Sequence, residues 1–172
     1  MSDASVALSA VDVSTARSVP KTATAVGYAV GPKGTVPRQL GVSRSALESN
    51  GFTGKLGQTL LIPSSDGVAV AVGVGPADDV DANTLRTAAA AFCRAASQHA
   101  RLATNLADTD GVEPAAAAQA VTEGVLLASY RYVGLKNDAD AGSKLKALTL
   151  VVGGKRAKGV EQGAARGSVV AA

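Results

Sequence analysis

Few residues of this 172-residue chain are of types that do covalent chemistry. There is one cysteine, Cys93, and one histidine, His99. No serine stands in a G-x-S-x-G elbow and no H-E-x-x-H occurs, so a triad or a zinc-protease helix has few possible members. Cys93 lies between Phe92 and Arg94 in a helical pattern, where a small buried hydrophobe is expected rather than a nucleophile. His99 has no second histidine and no nearby cysteine to complete a zinc site. It is expected at the C-terminal end of the same helix, where an imidazole suits the helix dipole.

Binding chemistry has one candidate. Gly73-Val74-Gly75 follows an apolar run and precedes a helical pattern, so its N–H groups could cradle a phosphate. The third glycine of a dinucleotide fingerprint is missing. Pro76 removes one donor, and Asp78, Asp79 and Asp81 would repel an anion. A tight strand-to-helix turn is the competing and preferred reading. The three aspartates lack the spacing and closing glutamate of a calcium loop and are expected to cap the following helix. Glu123, beside Gly124 inside a long helical pattern, is expected to be half exposed or paired with Arg131 or Lys136.

The elements that would position these residues follow from periodicity and punctuation. Strands are expected at Val6–Val13, Thr24–Val30, Gln58–Ile62, Val68–Val74, Arg101–Leu106 and Lys146–Val152. Pro63 is expected to end the third, and the third and fourth read as a hairpin. The run VAVAVGV at 68–74 is apolar at almost every position, as for a strand covered on both faces. A short helix is expected at 38–49, with Leu40 and Leu47 facing inward. The clearest helix is Asp81–His99, with Asp81 or Asn83 as cap and Leu85, Ala88, Ala89, Phe92 and Ala96 on one face. Pro114 suits the first turn of a further helix, with Ala118, Val121, Val125, Ala128 and Tyr132 along one side and Gly134 at its end. Residues 157–172 read as helical. They stop inside an apolar pattern with no glycine or proline stop signal, so more protein is expected beyond them. Strands alternating with helices, plus one hairpin, imply a single α/β domain: a mixed sheet flanked by helices on both faces.

Composition agrees. Hydrophobic residues make up 47% and charged residues 18%, which is globular rather than disordered. Aromatics are only 3%, so Ala, Val and Leu must build the core. One cysteine excludes an internal disulfide framework and fits a reducing cytoplasm. No apolar run approaches the roughly 18 residues that span a bilayer, and the N-terminus has no secretory pattern. A soluble cytoplasmic protein is expected. The net charge of +3 is too small to imply nucleic acid. Lys144, Lys146, Lys155, Arg156, Lys158 and Arg166 nevertheless form a basic C-terminal block, read either as solvated surface or as a face for DNA.

Three segments together resemble the N-terminal domain of the leucyl (cytosol) aminopeptidase family. The first is Val70–Gly75 followed by Leu85-Arg86 and an Ala-rich helix. The second is Glu123-Gly124-Val125-Leu126-Leu127-Ala128-Ser129-Tyr130-Arg131-Tyr132 with Lys136 after it. It is similar to the family's "EG…L..Y.(F/Y)…K" helix, carried here by Glu123, Gly124, Tyr130 and Lys136. The third is Leu148–Val152 with the small-residue helix that follows. The resemblance covers roughly residues 20–172 and implies a domain similar in fold to macro domains over residues 1–156. Residues 157–172 would then begin a helix leading into a catalytic domain. It implies a hexameric parent enzyme that removes N-terminal residues, often Leu, from peptides with two divalent metals (zinc, manganese or magnesium). None of the family's metal-binding or catalytic motifs occurs in these residues. No catalytic or metal-binding residue and no cofactor is therefore expected in this chain, whose role would be assembly or regulation. Two other readings stay open: a macro-like module binding a small molecule of the ADP-ribose type at Gly73–Gly75, and a DNA-binding accessory domain.

Overall fold

The computed structural model describes residues 11–134 and 144–171. Six strands, β1 (Asp12–Ala16), β2 (Ala25–Val30), β3 (Thr59–Ser64), β4 (Gly67–Gly73), β5 (Arg101–Thr104) and β6 (Ala147–Val151), form one sheet in the order β1-β6-β5-β2-β4-β3. All neighbours are parallel except the β3–β4 hairpin. Four α-helices accompany it: α1 (Arg44–Ser49), α2 (Ala82–Ala95), α3 (Pro114–Gly134) and α4 (Ala157–Val170). The expected mixed α/β sheet with helices on both faces is what the chain forms.

The main core lies on one face. Val70 and Val72 of β4, Leu102 of β5, and Leu148 and Leu150 of β6 point there, under Leu85 and Phe92 of α2 and Val121 and Val125 of α3. Period-two alternation sends their neighbours to the second face. There Tyr28 and Val30 of β2 and Ala69 and Ala71 of β4 pack with Leu40, Leu47 and Phe52. Both faces of β4 are therefore covered, as its unbroken apolar run requires.

Small residues let the layers approach closely. A Cβ on Gly27 would come within 2.8 Å of the Phe92 ring, so the ring lies directly on the β2 backbone. Gly124 of α3 sits against the Arg86 carbonyl of α2. Gly159, Gly163 and Gly167 recur every fourth residue on α4 and face Pro114, Ala115, and Gln119 with Thr122 of α3. The α3 helix is thus sandwiched between α2 and α4. That explains why it is apolar on nearly every side over its first four turns.

Helix starts follow side-chain chemistry. Asp81 caps α2 by accepting from Thr84 N at 2.8 Å, while the Thr84 hydroxyl accepts from Asp81 N at 2.8 Å. Pro114 opens α3, and the Glu113 carboxylate accepts from Ala116 N (2.9 Å) and Ala115 N (3.2 Å). Those two backbone bonds hold the Glu113 carboxyl below its ordinary range.

Several expectations are corrected. The first strand is Asp12–Ala16, overlapping the expected Val6–Val13 only at its end, because residues 12–16 register with 147–151; residues 6–10 lie outside the described residues. The 38–49 helix splits into a 3-10 turn at Arg38–Leu40 and α1. Gly41 breaks it at φ +66°, and Ser43 then caps anew through Ala46 N. Pro63 does not end β3, which pairs on through Pro63↔Val68 to Ser64; it is an edge strand, where a missing N–H can face away from the ladder. The α2 helix ends at Ala95 rather than His99, because the chain must turn to begin β5 at Arg101.

Candidate functional site

In an open α/β sheet a ligand crevice is expected beyond the C-terminal ends of the strands, where neighbouring connections leave in opposite directions. Here that place lies between β2 and β5. It is stitched shut: the Asn105 side-chain oxygen accepts from Ala29 N (3.0 Å), and the Thr104 hydroxyl donates to Gly27 O (2.9 Å). The candidate turn Gly73–Gly75 stands beside it, on β4. Gly73 N donates to Gln58 O (2.8 Å), Val74 N to Val30 O (3.2 Å) and Gly75 N to Gly54 O (3.0 Å). Pro76 has no N–H. Every donor of the turn is thus engaged within the protein, and none is free for a phosphate. The glycines serve closeness instead. A Cβ on Gly73 would strike the Lys55 carbonyl, and Gly75 has φ +77°. Asp78 and Asp79 lie in a 3-10 turn after it, and Asp81 is the α2 cap.

Cys93 and His99, far apart in type and role in the sequence, meet in one cavity with Ser129 and Lys144. Its volume is about 20 Å³, room for one water and no substrate. Burial pushes the Cys93 thiol up to about 11, with Arg94 opposing the rise. A thiol so placed stays protonated at neutral pH and is no nucleophile.

The motif helix is a packing device. Glu123 is 5% exposed. Its Oε2 accepts from Arg86 Nε (2.9 Å) and pairs with Arg86 Nη2 (2.8 Å), and its Oε1 accepts from Gln119 Nε2 (2.8 Å). Arg86 Nη1 also donates to Asn83 Oδ1 at 3.3 Å. The partner is an arginine 37 residues earlier; of the expected partners, the Arg131 side chain and Lys136 lie outside the described residues. Gly124, next in sequence, lets α2 close to the distance this pair needs. Tyr130 is on α3 and 38% exposed; Lys136 lies outside the described residues.

The basic block does not form one face. Lys144 and Lys146 precede β6, with Lys144 donating to Gln98 Oε1 (2.8 Å), whereas Lys155 and Lys158 follow it at the opposite end. Arg156 is committed to structure. Its Nη2 donates to Val112 O (2.8 Å) and Ala107 O (3.3 Å), and its Nε stands 3.6 Å from Asp108 Oδ1. That last separation is an ion pair and not a hydrogen bond.

Among the described residues no three His, Cys, Asp or Glu side chains are grouped to hold a metal ion, and no helix is long and apolar enough to cross a membrane. One cavity has no counterpart in the sequence reasoning: about 460 Å³ at the N-terminal ends of β2 and β4, with Tyr28 in its wall.

These features define an α/β domain in which Glu123 and Gly124 bring α2 and α3 together. The model of the cytosol aminopeptidase family N-terminal domain matches residues 39–139, more than half of the chain. The chain belongs to that family, as its N-terminal domain. A probable cytosol aminopeptidase of Corynebacterium diphtheriae is 34% identical over 112 residues, which is 62% of this chain and 21% of that protein. One from Microcystis aeruginosa is 34% identical over 113 residues, 63% of this chain and 23% of that protein. The chain therefore spans under a quarter of these relatives. Among solved structures, the bottromycin maturation enzyme BotP superposes with TM-score 0.65 at 31% identity, over 87% of this chain and 31% of that one. A mutant tomato leucine aminopeptidase does so with TM-score 0.68 over 88% of this chain and 35% of that one; at 20% identity it shows the fold.

Proposed function

We propose that this chain is the non-catalytic assembly or regulatory domain of a dinuclear-metal leucyl aminopeptidase, the parent releasing N-terminal amino acids from peptides. The observation that carries the reading is the family match at 39–139, in a chain spanning only 21% of a relative's length. The metal-binding and catalytic groups then belong to a catalytic domain that α4 leads into. Manganese is a candidate metal, since BotP has been solved in complex with Mn, at 29% identity to this chain. A cytoplasmic, hexameric parent with this domain at its corners, and a macro-like fold for residues 1–156, complete the reading.

The alternatives find less support. Binding of an ADP-ribose-type ligand at Gly73–Gly75 requires N–H groups that now serve Gln58 and Gly54. DNA binding by the basic block requires a continuous face, and its lysines sit at both ends of β6.

The test is hydrolysis of leucine amide by the purified chain with and without added Mn²⁺, beside the full-length parent. The parent is expected to turn over and the chain to show no activity. Metal-dependent turnover by the chain alone overturns the assignment.

A further inference from the structure

The cavity of about 460 Å³ lies at the end of the sheet opposite the crevice considered above. Its size falls within the roughly 300–1,000 Å³ typical of small-ligand pockets. Four separate parts of the chain build it, one of them the 3-10 turn at Arg38–Leu40, which contributes Gln39. Val26 and Tyr28 of β2 and Ala69 of β4 form the floor on the second face of the sheet. Segment 17–24, returning from the end of β1 to the start of β2, supplies an apolar wall of Val19 and Pro20. The turn of the β3–β4 hairpin supplies the far rim.

Five polar side chains that line this space, Lys21, Tyr28, Gln39, Ser64 and Asp66, have no hydrogen bond or ion pair among the described residues, and Tyr28 and the two charged groups are the ones the argument uses. Tyr28 is 8% exposed, yet its phenol makes no hydrogen bond among the described residues. Burial raises its pKa, so it stays a neutral donor at physiological pH. Lys21 and Asp66 both line the cavity, and neither belongs to an ion pair among the described residues. The Tyr28 ring is buried while its hydroxyl opens onto the cavity, where it can donate to an acceptor on an occupant. Lys21 and Asp66 are exposed at the rim, so they offer one cation and one anion beside an apolar floor to an occupant carrying both charges. A simple anion would meet Asp66, and a simple cation would meet Lys21.

We propose that this cavity is a binding site for a free α-amino acid with an apolar side chain. Lys21 and Tyr28 take the carboxylate, Asp66 takes the ammonium group, and the side chain lies on Val26, Ala69, Val19 and Pro20. The inference does not rest on the aminopeptidase reading, because it concerns binding by this chain whether or not any hydrolysis occurs.

The experiment is a ¹⁵N–¹H correlation NMR titration of the 172-residue chain with L-leucine. N-acetyl-L-leucine, which lacks the ammonium, and isoamylamine, which lacks the carboxylate, are titrated in parallel. Saturable shifts confined to residues around 19–28 and 64–69 are expected, with a dissociation constant of about 1 mM. Both controls are expected to bind about fivefold more weakly or worse, as are Lys21→Ala and Asp66→Ala with leucine. Tyr28→Phe tests the phenol with its ring retained. The spectra themselves report that each variant is folded. No shift with tens of millimolar leucine overturns the proposal. So do shifts centred elsewhere, or equal binding of leucine and the two controls.

Discussion

Glu123 is taken up by packing between two helices. Its carboxylate is buried and receives the Arg86 guanidinium and the Gln119 amide, so removing it strands donors between α2 and α3. Arg86 is 39% exposed, so the cation left behind reaches water, and the full cost of an orphaned buried charge does not apply. Glu123→Ala is expected to lower the unfolding free energy by about 1.5–3 kcal/mol, the usual worth of hydrogen bonds to a charged group. Arg86→Ala in that background should then cost much less than Arg86→Ala alone, as measured by a double-mutant cycle in urea. Additive effects would show that the pair contributes nothing as a pair.

At the scale of elements, glycine sets the spacing of the helical layer. An ordinary helix gains about 1 kcal/mol when an exposed interior glycine becomes alanine. Gly163 is buried, and a methyl group there would meet the Ala115 backbone of α3. Gly163→Ala is therefore expected to destabilise, by about 1–3 kcal/mol as overpacking does. Thermal unfolding reads the sign directly, and a stabilised variant would mean that α4 does not pack on α3 as described. The recurrence of Gly159, Gly163 and Gly167 was open to view in the sequence as a helix of small residues, but the partner helix was not. The same limit runs through the rest. The strands β2, β4 and β6 were legible because apolar runs are local, and the α2 cap because Asp81 and Thr84 are three residues apart. The continuation of β3 through Pro63 depends on its being an edge, which only topology decides. The partner of Glu123 was missed because long-range pairing leaves no local trace. The cavity at Tyr28 was invisible for the same reason, since four distant parts of the chain line it. The glycines of the Gly73–Gly75 turn were legible, but the three carbonyls that occupy its donors come from other segments.

For the whole molecule, the order of the sheet separates sequence neighbours and joins the two ends of the chain. Among the described residues the edge strand β1 pairs only with β6, and Ser14 meets Thr149 across 135 residues at 3.4 Å. Thr15 also reaches Glu161 of α4. Amides of β1 are expected to exchange with deuterium faster than those of β4, which is paired on both sides. Equal protection in a native-state exchange experiment would mean that the edge opens only with global unfolding. The pairing has a consequence for how the protein is made. Synthesis runs at about 5–20 residues per second, so β1 leaves the ribosome roughly 7–27 seconds before β6, its partner among the described residues. Its sequence, Asp12-Val13-Ser14-Thr15-Ala16, is short and polar at three of its five positions, whereas the VAVAVG run of β4 follows its hairpin partner β3 within a few residues. The strand that must wait is the one least able to find a wrong partner while waiting.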